Sequence, residues 1–150
     1  MTYQLRGKTF DEFEEGNEFY TASRTITEGD VSLFAGLSGD FNPLHTNEEF
    51  GKTTPFGTRI AHGVLSLAVA TGLANQLGIF EGTTIAVIEM TARYTGAVLF
   101  GDTVRLVLKV VDKKESKKPD RGVITVQTTV LNQRDQSVLE GQWVIMLVRK

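Results

Sequence analysis

Two side chains suited to moving protons stand five residues apart in the segment Ser38-Gly39-Asp40-Phe41-Asn42-Pro43-Leu44-His45. An imidazole accepts and donates protons near neutral pH, and a carboxylate beside it holds the ring or acts as a second base, so Asp40 and His45 together suit the activation of a water molecule. On a straight helix residues at this spacing diverge. The Asn42-Pro43 pair signals a turn instead, because proline disfavours helix in the residue before it, and a turn folds both side chains toward one point. The same residues also read as an ordinary bend, in which Asp bonds its own backbone and a loop histidine is solvated or caps a neighbour. A metal reading lacks ligands: His62 is the only other imidazole and the chain has no cysteine. No metal is expected.

Flanking elements must position that bend. Before it, Thr27 opens a short helix with Asp30 as a weak capping-box variant, and Val31, Phe34, Ala35 and Leu37 follow at helical spacing up to a stop near Gly39. Asp40 to Phe50 reads as a turn and a loose segment. After it, from His62 to Leu77, apolar residues surround nearly the whole circumference of a helix roughly 24 Å long at ~1.5 Å per residue, which predicts an element covered on all sides and capped by Gly78. Strand patterns run over Phe19–Ile26, Thr83–Tyr94, Val104–Val110, Val123–Leu131 and Val138–Val148. The connections Gly96–Asp102, Asp112–Gly122 and Asn132–Ser137 are too short for a crossover helix and read as successive antiparallel hairpins. The expectation is α+β: about five antiparallel strands curved around one long helix, as a single domain over residues 1–150. Such a half-shell leaves sheet edges and part of the helix uncovered, which predicts a homodimer or higher homo-oligomer.

Composition narrows the functional classes. With 150 residues, 41% hydrophobic and 23% charged, the chain has the make-up of an ordinary globular domain. A formal net charge of −2 offers no basic surface for a phosphate backbone, so no nucleic-acid partner is expected. The absence of cysteine removes disulfides, thiolate nucleophiles and thiol redox chemistry. The most apolar stretch, Ile60–Ala74, is shorter than the ~18 residues that a bilayer requires, and the N-terminus shows no secretory pattern. A cytoplasmic location without membrane association is expected.

The run Phe34–His45 (FAGLSGDFNPLH), followed by Ile60-Ala61-His62-Gly63, resembles the signature of the MaoC-type (R)-specific enoyl-CoA hydratases and acyl dehydratases, and the likeness extends from about Thr25 to the C-terminus. The resemblance implies the hot-dog fold, in which an antiparallel sheet wraps a long helix and subunits dimerise. It also implies a hydro-lyase acting on acyl-CoA or acyl-carrier-protein thioesters: water adds across a trans-2-enoyl thioester to give an (R)-3-hydroxyacyl thioester, reversibly. Coenzyme A is then part of the substrate and no separate cofactor is needed. By this likeness Asp40 and His45 are the catalytic pair, Asn42 supports the turn and the water, and the Gly63 amide is the oxyanion donor. Physics agrees on Gly63, since amides in a helix's first turn lack acceptors and the dipole favours negative charge there. His62 sits in the motif without a firm role, able to cap the helix or pack at an interface. Thr71 occupies a helix position where some relatives carry serine near the catalytic pair, although a mid-helix threonine more often bonds its own helix.

Other residues carry weaker expectations. Arg59 meets either a charged part of the ligand or a surface ion-pair partner. Phe41, with Phe34, Phe50 and Phe56, lines an acyl tunnel or belongs to ordinary core. The lysine-rich Lys113–Arg121 loop is a solvated hairpin tip or a phosphate contact. Two rival functions stand beside the hydratase. A hot-dog acyl-CoA thioesterase often carries a carboxylate on the central helix, and residues 62–77 contain no Asp or Glu. A non-catalytic acyl-thioester binding module would tolerate loss of Asp40 and His45.

Overall fold

The structure, a computed structural model, describes all residues 1–150. After a 3₁₀ turn at Phe10–Glu12 come β1 (Glu18–Tyr20), β2 (Arg24–Thr25), α1 (Glu28–Ser38), α2 (Pro43–Thr46), α3 (Glu48–Thr53) and α4 (Gly63–Gln76). The strands β3 (Thr84–Met90), β4 (Arg93–Tyr94), β5 (Thr103–Glu115), β6 (Arg121–Leu131) and β7 (Ser137–Val148) complete the chain. One antiparallel seven-stranded sheet has the order β1-β5-β6-β7-β3, with β2 also on β5 and β4 also on β7. It curves around α4 in the hot-dog arrangement. No helix is long and apolar enough to cross a membrane.

The strand count rises from five to seven because two expected strands are broken by threonine. Thr21 takes the Leu106 N–H on its hydroxyl at 2.9 Å, between β1 and β2. Thr91 does the same to the Gln142 N–H at 2.9 Å, between β3 and β4. In each case a side-chain acceptor replaces a main-chain one and the ladder stops.

Buried alternation on β5 (Val104, Leu106, Leu108, Val110) and β6 (Ile124, Val126, Val130) forms the concave face. Leu65, Val69, Ala70, Leu73 and Ala74 of α4 close onto it. Each large side chain so buried contributes ~1.5–3 kcal/mol. The expectation of a helix covered all round is corrected: within one chain Val64, Ala68, Thr71 and Gly72 form an exposed stripe, with Val64 58% exposed. A stripe at i, i+4 and i+8 faces away from the concave face of β5 and β6, and Val64 at its start borders a cavity of its own chain.

A second correction concerns connectivity. Asp112–Gly122 and Asn132–Ser137 are hairpins joining β5 to β6 and β6 to β7, but β3 and β4 pair with β7, so Gly96–Asp102 crosses the end of the sheet to reach β5. Alternation shows which face a strand buries, not which neighbour it pairs with. This crossing is pinned at several points: Ala61 N–H donates to the Val98 carbonyl at 2.8 Å, and the buried Asp102 carboxylate accepts from Leu99 N at 2.8 Å and Gln133 Nε2 at 2.6 Å. The crossing segment therefore lies against the residues that lead into α4.

Candidate active site

The bend is over-determined. Thr27 and Asp30 make the full reciprocal cap of α1, and Gly39 ends that helix at φ +77°, a left-handed conformation that glycine adopts without penalty. The Ser38 hydroxyl donates to the Phe34 carbonyl and accepts from Asp40 N. Asp40 Oδ1 accepts from Asn42 N at 3.1 Å, and Asn42 Oδ1 accepts from Leu44 N at 3.0 Å, capping α2 with Pro43 in its first turn. The stretch read as loose is thus two short helices, the second capped by Asn47. Four- and six-residue helices carry too few turns for a hydrophobic period to show.

Asp40, His45 and His62 converge. A ligating atom from each lies within 4.8 Å of the others, a span that one bridging water covers. His45 Nδ1 contacts the Ile60 carbonyl at 2.7 Å. A carbonyl only accepts, so the ring proton sits on Nδ1 and Nε2 carries the lone pair. His62 is buried, and its Nε2–H donates to the Asp40 main-chain carbonyl at 2.9 Å. The two imidazoles lie face against face, centroids 3.9 Å apart and planes inclined by 31°. Each ring keeps one lone pair, so with the Asp40 carboxylate the trio offers three donors, one fewer than a closed tetrahedral site takes.

Beneath the bend is a cavity of about 450 Å³ whose lining includes His45, Gly63, Ser66, Tyr94, Phe56 and the Gly96–Val98 stretch of the crossing segment. Gly63 is the first residue of α4, so its N–H has no acceptor inside the helix. Asp40 is exposed and outside the lining itself. His45 also borders a second, smaller cavity of about 230 Å³ with Phe41, Arg59 and Phe100.

The remaining expected site residues divide. Asn42 holds the turn through its cap, and Phe41 borders the smaller cavity. Arg59 is engaged by Glu48 and Glu28, each at 2.7 Å, and lies over the Phe100 ring at 4.8 Å. The hydrogen bonds from Arg59, then Thr58, hold the Glu48 carboxyl below its usual range. Thr71 is not brought to the pair: its hydroxyl donates to the Ala68 carbonyl at 2.7 Å, and it borders a separate apolar pocket with Phe80 and Trp143. Phe56 lines the main cavity, Phe34 packs edge-on against His62, and Phe50 is exposed. The lysine-rich tip joins β5 to β6 beside the C-terminal end of β7, whereas the cavity lies at the Val138 end of that strand, so the tip is remote from it.

Sequence reasoning missed Ser66. It is buried, lines the cavity, and its hydroxyl reaches only the His62 carbonyl at 3.5 Å, the limit of a hydrogen bond. Its signal was spacing: three residues beyond Gly63, it shares that residue's face of the helix.

A sheet wrapped on a helix, with an acid–imidazole bend over the helix N-terminus, defines a hot-dog protein with a candidate acid–base site. Residues 12–132 match the family model described as the MaoC like domain, and the chain belongs to that family. It is 34% identical over 139 residues to an (R)-specific enoyl-CoA hydratase of Rhodospirillum rubrum, covering 92% of this chain and 90% of that one. It is 29% identical over 150 residues to a 3-hydroxybutyryl-CoA dehydratase of Methylorubrum extorquens, covering 100% of this chain and 90% of the relative. Among solved structures it is similar to the unliganded R-hydratase PhaJ1 of Pseudomonas aeruginosa, with a TM-score of 0.80, 33% identity, and 95% and 86% of the two chains covered.

Proposed function

We propose that the protein is a hydro-lyase that adds water to trans-2-enoyl thioesters, giving (R)-3-hydroxyacyl thioesters, and catalyses the reverse dehydration. The observation that carries this reading is the Asp40–His45 pair, one water apart, above a cavity that also contains the first amide of α4. The carboxylate and His45 Nε2 both accept from the attacking water. As its oxygen bonds to C3, the C2–C3 π electrons move toward the thioester carbonyl, whose growing charge is met by the Gly63 N–H with Ser66 beside it. A proton then returns to C2 from the same face, so the net addition is one H and one OH. No electrons leave the substrate, and no cofactor beyond the thioester's own carrier enters the scheme.

The exposed stripe on α4 and the edge strand β3, where Ile85, Val87 and Ile88 are 41–53% exposed, support a homodimer. An unpaired edge with apolar side chains on both faces invites a second chain. The test is direct: purified protein is mixed with crotonyl-CoA, and loss of the conjugated enoyl absorbance is followed beside free-thiol release. Hydration without thiol release is expected. Thiol release alone would make it a thioesterase, and neither a binding module.

A further inference from the structure

The buried imidazole of His62 takes no part in the scheme above, yet it touches both halves of the proposed pair. It is 2% exposed. Its edge donates from Nε2 to the Asp40 carbonyl, its face lies on the His45 ring, and Phe34 packs against it edge-on at 4.9 Å. Its other nitrogen, Nδ1, is buried without a hydrogen-bond partner. A buried polar atom left unpaired is destabilising, and a phenylalanine would fill the same space without one. What the imidazole adds is the Nε2–H. The atom it holds needs holding, because Asp40 follows Gly39, whose backbone is the most permissive in the bend.

We propose that His62 is a positioning residue for the acid–base pair, tying Asp40 by its edge and His45 by its face, so that the two groups keep the separation that one water spans. This inference rests on the hydratase reading for its kinetic consequence. One ring then sets two coordinates: the main-chain position from which the carboxylate projects, and the plane in which His45 Nε2 faces the cavity.

Two substitutions separate the two ties. His62→Phe keeps the aromatic face and removes the N–H; His62→Gln carries an amide N–H to about the same place and removes the face. Groups that orient a reacting side chain typically contribute about 10–100-fold to activity, and each variant is expected to lose kcat in that range. KM should stay within about twofold, as for a loss felt mainly in the transition state. The His62→Phe loss should vanish on an Asp40→Ala background, and the His62→Gln loss on a His45→Ala background, because a group that acts through another has nothing left to position. Equal losses on parent and variant backgrounds, or unchanged kcat in both variants, overturn the proposal.

A wild-type protein inert toward enoyl-CoA would defeat the hydratase reading alone. The positioning role is then decided by ¹⁵N NMR of the histidine rings, which should show His45 protonated at Nδ1 in wild type and His62→Phe, and a mixture of tautomers in His62→Gln, where the ring loses the face that keeps its Nδ1–H on the Ile60 carbonyl. An unaltered His45 tautomer in His62→Gln overturns it. If His62→Phe fails to fold, the tautomer in His62→Gln carries the decision.

Discussion

A Cβ on Gly63 would lie 2.6 Å from Cε1 of Tyr94: the tyrosine ring rests on the glycine in the space any other residue would occupy. The first amide of α4 and one wall of the cavity are therefore in mutual contact. Gly63→Ala should push Tyr94 from this seat and displace the amide. A shift of about 1 Å in a catalytic group costs ~10²-fold, so kcat/KM for enoyl-CoA hydration should fall on that order. Adding Tyr94→Ala should recover part of the loss. Steady-state rates of the single and double variants check this, and a Gly63→Ala enzyme with full activity refutes the amide's role.

Asp40→Ala and His45→Ala should each lower kcat by ~10³, within the range for removal of a general base. Neither side chain is part of the buried core, so far-ultraviolet circular dichroism and melting temperature should stay near those of wild type. Near-normal turnover in either variant would show that the bend is scaffold.

Ser66→Ala removes a hydroxyl held weakly in its own helix and open to the cavity. The variant should fold normally and lose about 1 kcal/mol of transition-state stabilisation, roughly fivefold in kcat/KM. Thr71→Ala, bordering a different pocket, should leave the rate unchanged. The reverse order of effects would return the site role to Thr71.

Ile88→Glu places a charge on the edge strand where the side chain is 53% exposed in the single chain. If β3 meets a second copy, light scattering should show the variant as a monomer at concentrations where wild type is a dimer. A monomeric wild type would remove the homodimer from the functional scheme.

Acid should loosen the α3 region before the core. Arg59, then Thr58, lowers the Glu48 carboxyl in the folded protein relative to its unfolded value, so this contribution to stability is complete above the ordinary glutamate range and is lost as pH falls through the folded value. Glu48→Gln should melt earlier than wild type at neutral pH, and the gap should narrow as pH drops below ~4.3. A gap constant from neutral pH to pH 3 would mean that the ion pair contributes nothing. The melting curves of the two proteins, recorded across that interval, decide.

What could be read from residues alone follows a physical division. The capping pair Thr27 and Asp30, the stop at Gly39 and the Asn42-Pro43 turn between Asp40 and His45 are local, set by side chains within a few positions of one another, whereas the rings are oriented by the Ile60 and Asp40 carbonyls, 15 and 22 positions away. The partners of β3 and β4 are not local: nothing in the alternation of Thr83–Tyr94 distinguishes β7 from β5 as a neighbour, so the crossing segment looked like a hairpin. The exposed stripe on α4 was hidden for a related reason. Val64 and Ala68 are as apolar as the buried side of the helix, and only the sheet's position reveals which side it covers. Thr71 carries a site reading only through the family likeness, while Ser66 lies outside both motif stretches, and five positions place the two hydroxyls on different sides of the helix.

Gly96–Val98, which walls the cavity, belongs to a connection rather than to a ladder, anchored by the Asp102 carboxylate and the Ala61 amide. Gly96 N–H also reaches the Val138 carbonyl of β7 at 3.4 Å, so the wall is tied to the frame on both sides of Ala97, which makes no main-chain hydrogen bond of its own. A larger side chain at Ala97, which lines the chamber, would narrow it while both ties and every strand's register stay in place, which makes that one position the natural handle for redesigning chain-length preference.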